Sequence, residues 1–283
     1  MDVIRTGSEL RDATDRGRAR ERSVGLVPTM GFFHEGHLSL LRRARSDCDL
    51  VTVSIFVNPL QFGPGEDLAE YPRDLDRDLA QAEAEGVDVA FVPEVEEMYP
   101  QGRPEVTVDP GPVGERLEGV SRPGHFRGVL TVVAKLFHRA GRCRTYFGEK
   151  DFQQLFLVRR MASDLSFPVE VVGCPIVREP DGLAMSSRNA YLTAEERKAA
   201  LCLSQALEAA AKRVREGDPW ALRVASEIAD RVHAEPLARL DYVAVVDEET
   251  FEGVDKIVRP ARALVAARVG TPRLIDNIRL EPA

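Results

Sequence analysis

The sequence predicts an α/β protein: a Rossmann-like doubly wound parallel sheet over residues 1–175, followed by a smaller C-terminal α+β domain over 176–283. Three observations carry this. Short apolar, β-branched runs at 24–27, 50–57 and 87–92 alternate with stretches of helical periodicity, the strand–helix–strand order of a parallel sheet. The run LVTVSIFV at 50–57 is nearly all β-branched or apolar, as a strand buried on both faces needs to be. After about Pro175 the composition changes: Thr193-Ala194-Glu195-Glu196 forms a capping box before a long Ala- and Leu-rich helix, and three β-prone runs follow.

Residues 8–20 read as an amphipathic surface helix with Leu10, Ala13 and Ala19 inward. The stretch 24–37, VGLVPTMGFFHEGH, is a short strand stopped by Pro28, a turn loosened by Gly31, and the start of a helix continued by Leu38, Leu41 and Ala44. The first amides of such a helix are unsatisfied and its dipole favours negative charge, so the loop is an anion site. His34 and His37 add donors that suit a nucleotide triphosphate. Other readings are a metal site and two structural caps; the zinc-protease motif, however, spaces its histidines one residue further apart on a formed helix.

The strand at 50–57 ends in Asn58-Pro59-Leu60-Gln61, at the sheet edge where open α/β folds bind ligands. Ordinary turn chemistry is a serious alternative for Asn58 and a weaker one for Gln61. Residues 74–85 form a charged helix with Leu75, Leu79 and Ala82 inward, and 87–92 the next strand. Residues 93–112, rich in Pro, Gly and Glu, read as a surface excursion. Arg122, His125 and Arg127 surround a glycine-bearing turn before a helix at 129–139, either a second phosphate or carboxylate contact or a solvated basic loop. The strand at 145–147 leads into Gly148-Glu149-Lys150-Asp151 and a helix at 152–165, with Gln154 in its first turn and Lys150 placed to meet a phosphate. A strand at 169–172 completes the sheet.

In the second part, a turn at Pro180-Asp181-Gly182 precedes Ala184-Met185-Ser186-Ser187-Arg188-Asn189. That segment is either turn filler or a mobile hydroxyl-and-guanidinium loop that closes over phosphates. Helices to about Glu216 and over 220–233, with strands at 242–246, 263–269 and 274–278, complete the chain.

Composition narrows the function classes. A net charge of −8 disfavours a nucleic-acid partner and makes the basic turn stand out. The first residues are charged and lack an apolar signal core, and no apolar run approaches membrane-spanning length, so a cytoplasmic location is expected. Four widely spaced cysteines, with no CxxC, read as free thiols.

Five blocks, in order over essentially the whole chain, resemble those of the pantothenate synthetase (pantoate–β-alanine ligase) family, within the HIGH-type nucleotidyltransferase superfamily. They are VPTMGFFHEGH, VNPLQF, RPGHFRG, FGEKDFQQL and AMSSRN, and GTPRLIDN resembles the closing block. AMSSRN stands where class I aminoacyl-tRNA synthetases carry their KMSKS loop, with Arg188 in place of the catalytic lysine. Phe32 and Phe33 replace smaller residues, and Phe152 and Phe156 line the later helix.

The resemblance implies that ATP adenylates pantoate with loss of pyrophosphate, after which β-alanine displaces AMP. It implies His37 as proton donor, with His34, Lys150 and Arg188 stabilising phosphate charge. Its ATP contacts are Met30, Gly31, Phe32, Phe33, His34, Glu35, Gly36, His37, Gly148, Glu149, Lys150, Asp151, Val177, Met185, Ser186, Ser187 and Arg188. Gln61 and Gln154 correspond to pantoate ligands, Gln61 also lying near β-alanine, and Asn58, Arg122 and His125 join them as candidate substrate contacts. Mg²⁺ accompanies ATP with no protein ligand implied, the C-terminal part acts as a lid carrying the MSSR loop, and a homodimer forms through the major domain. Two rival classes share part of the pattern: an adenylyltransferase of coenzyme biosynthesis that joins AMP to a phosphate, and a non-catalytic ATP-binding module. The first does not explain VNPLQF, and the second needs none of the convergent cations.

Overall fold

The computed structural model describes residues 1–63, 65–66 and 68–282. The chain forms two compact units, Met1–Glu149 with Gln153–Pro175, and Lys150–Phe152 with Ile176–Ala283.

The first unit begins with β1 (Asp2–Ile4), α1 (Gly7–Ala19), β2 (Val24–Thr29), α2 (Glu35–Asp47), β3 (Leu50–Ile55), α3 (Leu75–Ala84) and β4 (Val89–Phe91). Two one-turn helices follow, α4 (Val95–Met98) and α5 (Glu118–Ser121), then α6 (His125–Ala140), β5 (Cys143–Gly148), α7 (Phe152–Asp164) and β6 (Val169–Cys174). Six parallel strands lie in the order β1-β4-β3-β2-β5-β6. Helices α2 and α3 pack on the face that carries Val27, Val51, Val53 and Ala90. The opposite parity, Leu26, Thr52, Ser54 and Phe91, is buried too, so the sheet is covered on both sides. Chain order runs outward from β2 through β3 to β4, then returns to place β5 on β2's other side. The β2/β5 pair is therefore the topological switch point, and ligands bind beyond the carboxyl ends of strands there.

Three local expectations are corrected. Pro28 does not stop the ladder: β2 continues to Thr29, whose hydroxyl donates to the Ser54 carbonyl on the neighbouring strand (2.7 Å). The segment after β4 is not a surface excursion throughout, because α4 delivers Met98 and Tyr99 to the interior, 0% and 5% exposed. Helix α6 starts at His125, not at 129, with Gly128 inside it. A Cβ at 128 would overlap the Leu60 carbonyl, so glycine there permits close approach of the helix to the 59–61 turn and breaks nothing.

In the second unit, α8 (Ala194–Arg215) and α9 (Ala221–His233) pack on an antiparallel sheet, β7 (Ala238–Asp247), β8 (Ala261–Val269) and β9 (Arg273–Leu280). Leu203, Leu207, Val224, Ile228 and Val265 form its core. The expected capping box is present: the Thr193 hydroxyl accepts from Glu196 N, and the Glu196 carboxylate accepts from Thr193 N.

Candidate active site

The loop after β2 is held in a conformation that Phe32 disfavours. Gly31 and Phe32 both have positive φ, +82° and +52°, and a left-handed non-glycine residue costs about 1–3 kcal/mol. Helix α3 offsets that strain. Asp78 accepts from Phe32 N through Oδ2 (2.6 Å) and from Phe33 N through Oδ1 (2.7 Å). Arg77 donates to the Phe33 carbonyl (3.2 Å) and lies over the Phe32 ring (5.5 Å). Asp78 is 1% exposed, and burial pushes its carboxyl pKa up against the pull of the two amides. Sequence reading missed both residues. The available signal was Asp78 itself, three positions after Leu75, a carboxylate on the helix's apolar stripe.

Beyond the clamp, His34 is the N-cap of α2. Its Nδ1 accepts from Gly36 N (3.1 Å), and His37 Nδ1 accepts from His34 N (3.3 Å). With both Nδ1 atoms as acceptors, the proton of each neutral ring belongs on Nε2. The two rings, 4.1 Å apart, thus carry paired donors. Phe33 is buried beneath them in the core, its ring 5.5 Å from that of His37.

After β3, a 3₁₀ turn (Pro59–Gln61) is capped by Asn58, which accepts from Leu60 N (3.2 Å). Gln61 Nε2 donates to Met30 Sδ (2.9 Å), so the β2 and β3 loops meet. His125 Nδ1 lies 2.8 Å from the Gln61 carbonyl, and its Nε2 lies 2.9 Å from Arg122 Nη1. Because guanidinium only donates, His125 accepts at Nε2 and donates from Nδ1. Burial and Arg122 push its pKa down to about 4. Arg122 also grips Glu66 with two nitrogens (3.1 and 2.6 Å). Arg122 and His125 are therefore a packed support for Gln61, whereas half-exposed Arg127 pairs with exposed Asp109 (2.9 Å); sequence alone left open a phosphate or carboxylate contact and a solvated loop.

At the end of β5, Gly148 and Glu149 lead to α7. Of its two glutamines, Gln153 has the structural role: buried, it donates to the Val113 and Arg116 carbonyls and accepts from Glu118 N. Gln154 is half-buried.

The remaining sequence-predicted residues belong to the second unit. Lys150 lies 3.8 Å from Asp151, and its carbonyl accepts from Asn277 Nδ2 (2.9 Å). Phe152 stacks on Phe251 (6.3 Å) with Arg262 over its ring (4.3 Å), so its bulk goes into packing. Met185 N donates to the Val177 carbonyl (3.0 Å). Arg178 between them is bidentate on buried Asp276 (2.7 and 3.0 Å). The Ser186 hydroxyl caps the 3₁₀ turn Ser187–Tyr191 by accepting from Arg188 N (3.3 Å). Asn189 bonds Glu179 and the Ala184 carbonyl, and Arg197 pairs with Glu179. The segment carrying Ser186, Ser187 and Arg188 is thus pinned on both sides.

Among the described residues no three His, Cys, Asp or Glu side chains are grouped to hold a metal ion, and no helix is long and apolar enough to cross a membrane.

Comparison with known proteins gives a consistent picture. The family model for pantoate-beta-alanine ligase matches residues 2–279. A pantothenate synthetase of Roseiflexus castenholzii is 54% identical over 281 residues, covering 99% of this chain and 100% of that protein. The crystal structure of pantothenate synthetase from Thermus thermophilus matches with a TM-score of 0.93 and 50% identity over the full length of both chains. A Francisella tularensis pantoate-beta-alanine ligase, complexed with beta-gamma ATP and β-alanine, matches with a TM-score of 0.78 and 32% identity, covering 98% of this chain and 97% of that one.

Proposed function

The chain belongs to the pantoate–β-alanine ligase family, and from that premise we propose that it condenses pantoate with β-alanine, using ATP and releasing AMP and pyrophosphate. One observation ties the chemistry to this chain's own residues. The loop whose two imidazoles accept main-chain amides at Nδ1, leaving the ring proton on Nε2, also meets, at Met30, the amide of Gln61.

In the first step the pantoate carboxylate attacks the α-phosphorus of ATP; a P–O bond forms, and the bond to pyrophosphate breaks. Negative charge grows on phosphate oxygens, and fixed donors stabilise it without reorganisation. His34, His37, Lys150, Arg188 and the Ser186 and Ser187 hydroxyls are the donors in this reading, with His37 as proton donor. Residues 30–37, 148–151, Val177 and 185–188 contact ATP. Gln61 and Gln154 hold pantoate; Asn58, Arg122 and His125, expected as substrate contacts, are assigned here as supports of Gln61, because each hydrogen-bonds to it. In the second step the β-alanine amine attacks the carbonyl of the pantoyl adenylate. The amide bond forms, AMP departs as the leaving group, and the amine loses its proton.

Magnesium enters this reading with the ATP phosphates, where it would neutralise charge. The imidazoles, amides, lysine and arginine suit phosphate oxygens, and among the described residues no three His, Cys, Asp or Glu side chains are grouped to hold a metal ion, so no protein ligand and no step is assigned to it. The enzyme works in the cytoplasm as a homodimer in this reading, the latter checked by light scattering of the purified protein. The reaction itself is tested by measuring AMP and pyrophosphate release from ATP with pantoate, with and without β-alanine. Robust AMP release that needs both substrates is expected; a dinucleotide product, or no turnover, would overturn the reading.

A further inference from the structure

We propose that Asn58 and Tyr99 act as positioning residues that fix the amide of Gln61 as a hydrogen-bond donor toward an acceptor oxygen of pantoate. The inference rests on the assignment of Gln61 to pantoate and goes beyond it by specifying which end of the amide meets the substrate and what sets it.

A primary amide has two N–H donors and two acceptor lone pairs. Asn58 uses all four. Its Oδ1 accepts from Leu60 N (3.2 Å) and from the Tyr99 hydroxyl (2.8 Å). Its Nδ2 donates to the Gly128 carbonyl (3.1 Å) and to Gln61 Oε1 (3.2 Å). Two of these partners are main-chain groups of fixed character: Leu60 N can only donate, and the Gly128 carbonyl can only accept. A flipped Asn58 would set N–H against N–H and oxygen against oxygen, in a site where Asn58 is 1% exposed. Unmade hydrogen bonds of buried groups are costly there, so the orientation is locked.

The lock is passed on. Asn58 Nδ2 can face only an acceptor, so Gln61 must turn Oε1 toward it and Nε2 away. Nε2 then lies on the Met30 side, against a thioether sulfur. A thioether is a weak acceptor, which a carboxylate or hydroxyl oxygen readily replaces. The main chain of Gln61 is held as well, since His125 and Arg122 both reach its carbonyl (2.8 and 3.3 Å). Gln61 therefore reads pantoate through donated hydrogen bonds. Asn58, with no unused donor or acceptor, acts only through Gln61.

A double-mutant cycle on pantoate KM, with ATP KM measured alongside, tests this. Gln61→Ala and Asn58→Ala should each raise pantoate KM about tenfold or more and leave ATP KM within about twofold. The double variant should be no worse than Gln61→Ala alone, because Asn58 has nothing left to orient. Tyr99→Phe, which removes one of the two donors to Oδ1 and no main-chain anchor, should raise pantoate KM a few-fold in the wild-type background and not at all in Gln61→Ala. It carries the cycle if Asn58→Ala does not fold. Multiplying effects in the double variant would overturn the inference, as would equal rises in the ATP and pantoate constants. Gln61→Ala with unchanged pantoate KM would instead overturn the Gln61 assignment, and is told apart because the single variant alone reveals it.

Discussion

Asp78→Asn tests whether helix α3 holds the nucleotide loop in its working shape. The carboxylate makes two short bonds, to Phe32 N and Phe33 N. Asparagine keeps one acceptor and turns an NH₂ against the second amide. The lost charge-assisted bond is worth about 1.5–3 kcal/mol and the stranded N–H costs about 1–3 more. Removing a buried charge offsets part of this, because burial already disfavours the ionised form. A net weakening of about 2 kcal/mol remains. It acts on a loop whose left-handed Phe32 stores about 1–3 kcal/mol, so relaxed conformers gain weight. The competent fraction, and with it kcat/KM for ATP, should fall by up to roughly thirtyfold. Pyrophosphate release with ATP varied at saturating pantoate reads this, with circular dichroism to confirm the fold. A folded variant whose kcat/KM for ATP stays within about twofold of wild type would refute the clamp.

Four further outcomes are expected. His37→Ala should cut adenylate formation by roughly two to three orders of magnitude in a folded protein; near wild-type pyrophosphate release would sink its assigned role. Arg188→Ala should raise the ATP constant more than the β-alanine constant, and steady-state kinetics showing the reverse would contradict phosphate contact. Gln154→Glu puts a carboxylate where pantoate's own is expected, and should raise pantoate KM at least about tenfold, about 1.4 kcal/mol, with little change for ATP; equal weakening of both would place Gln154 elsewhere. His125 stays neutral down to about pH 4 in the folded protein, whereas the unfolded chain takes up a proton near the ordinary 6.5. Stability should therefore fall as pH drops from 6.5 toward 4, by up to about 3 kcal/mol, with no contribution above that window. His125→Gln should flatten this slope in thermal melts across the range, and parallel slopes would show that other groups cause it.

The long elements were legible because their local signals agree with their burial. Helix α3 lies within the predicted 74–85, with Asp74 as its side-chain cap, and the buried run at 50–57 became β3. The places of the 30–37 loop and of Gln61 were legible too, at the carboxyl ends of β2 and β3. What escaped depends on distant parts of the chain. β1 is three residues long and exists only through its pairing with β4. Gly128 looked like a turn residue, because nothing local shows that another backbone passes beside it. Tyr99 and Asp78 act through partners 41 and 46 residues away in sequence, and no window along the chain contains both ends of such a bond.

The contact at Gly128 has a consequence for inheritance. Helix α6 meets the 59–61 turn backbone to backbone, and the Gly128 carbonyl is one of the anchors of Asn58. Any replacement of glycine at 128 adds a side chain into space already filled by the Leu60 carbonyl and moves the turn that carries Gln61. In a saturation scan this position should therefore be as intolerant as a substrate-binding one, although it has no side chain to offer a ligand. An inhibitor lodged against Gln61 would meet little resistance arising there, since a change that displaces the drug displaces the substrate with it.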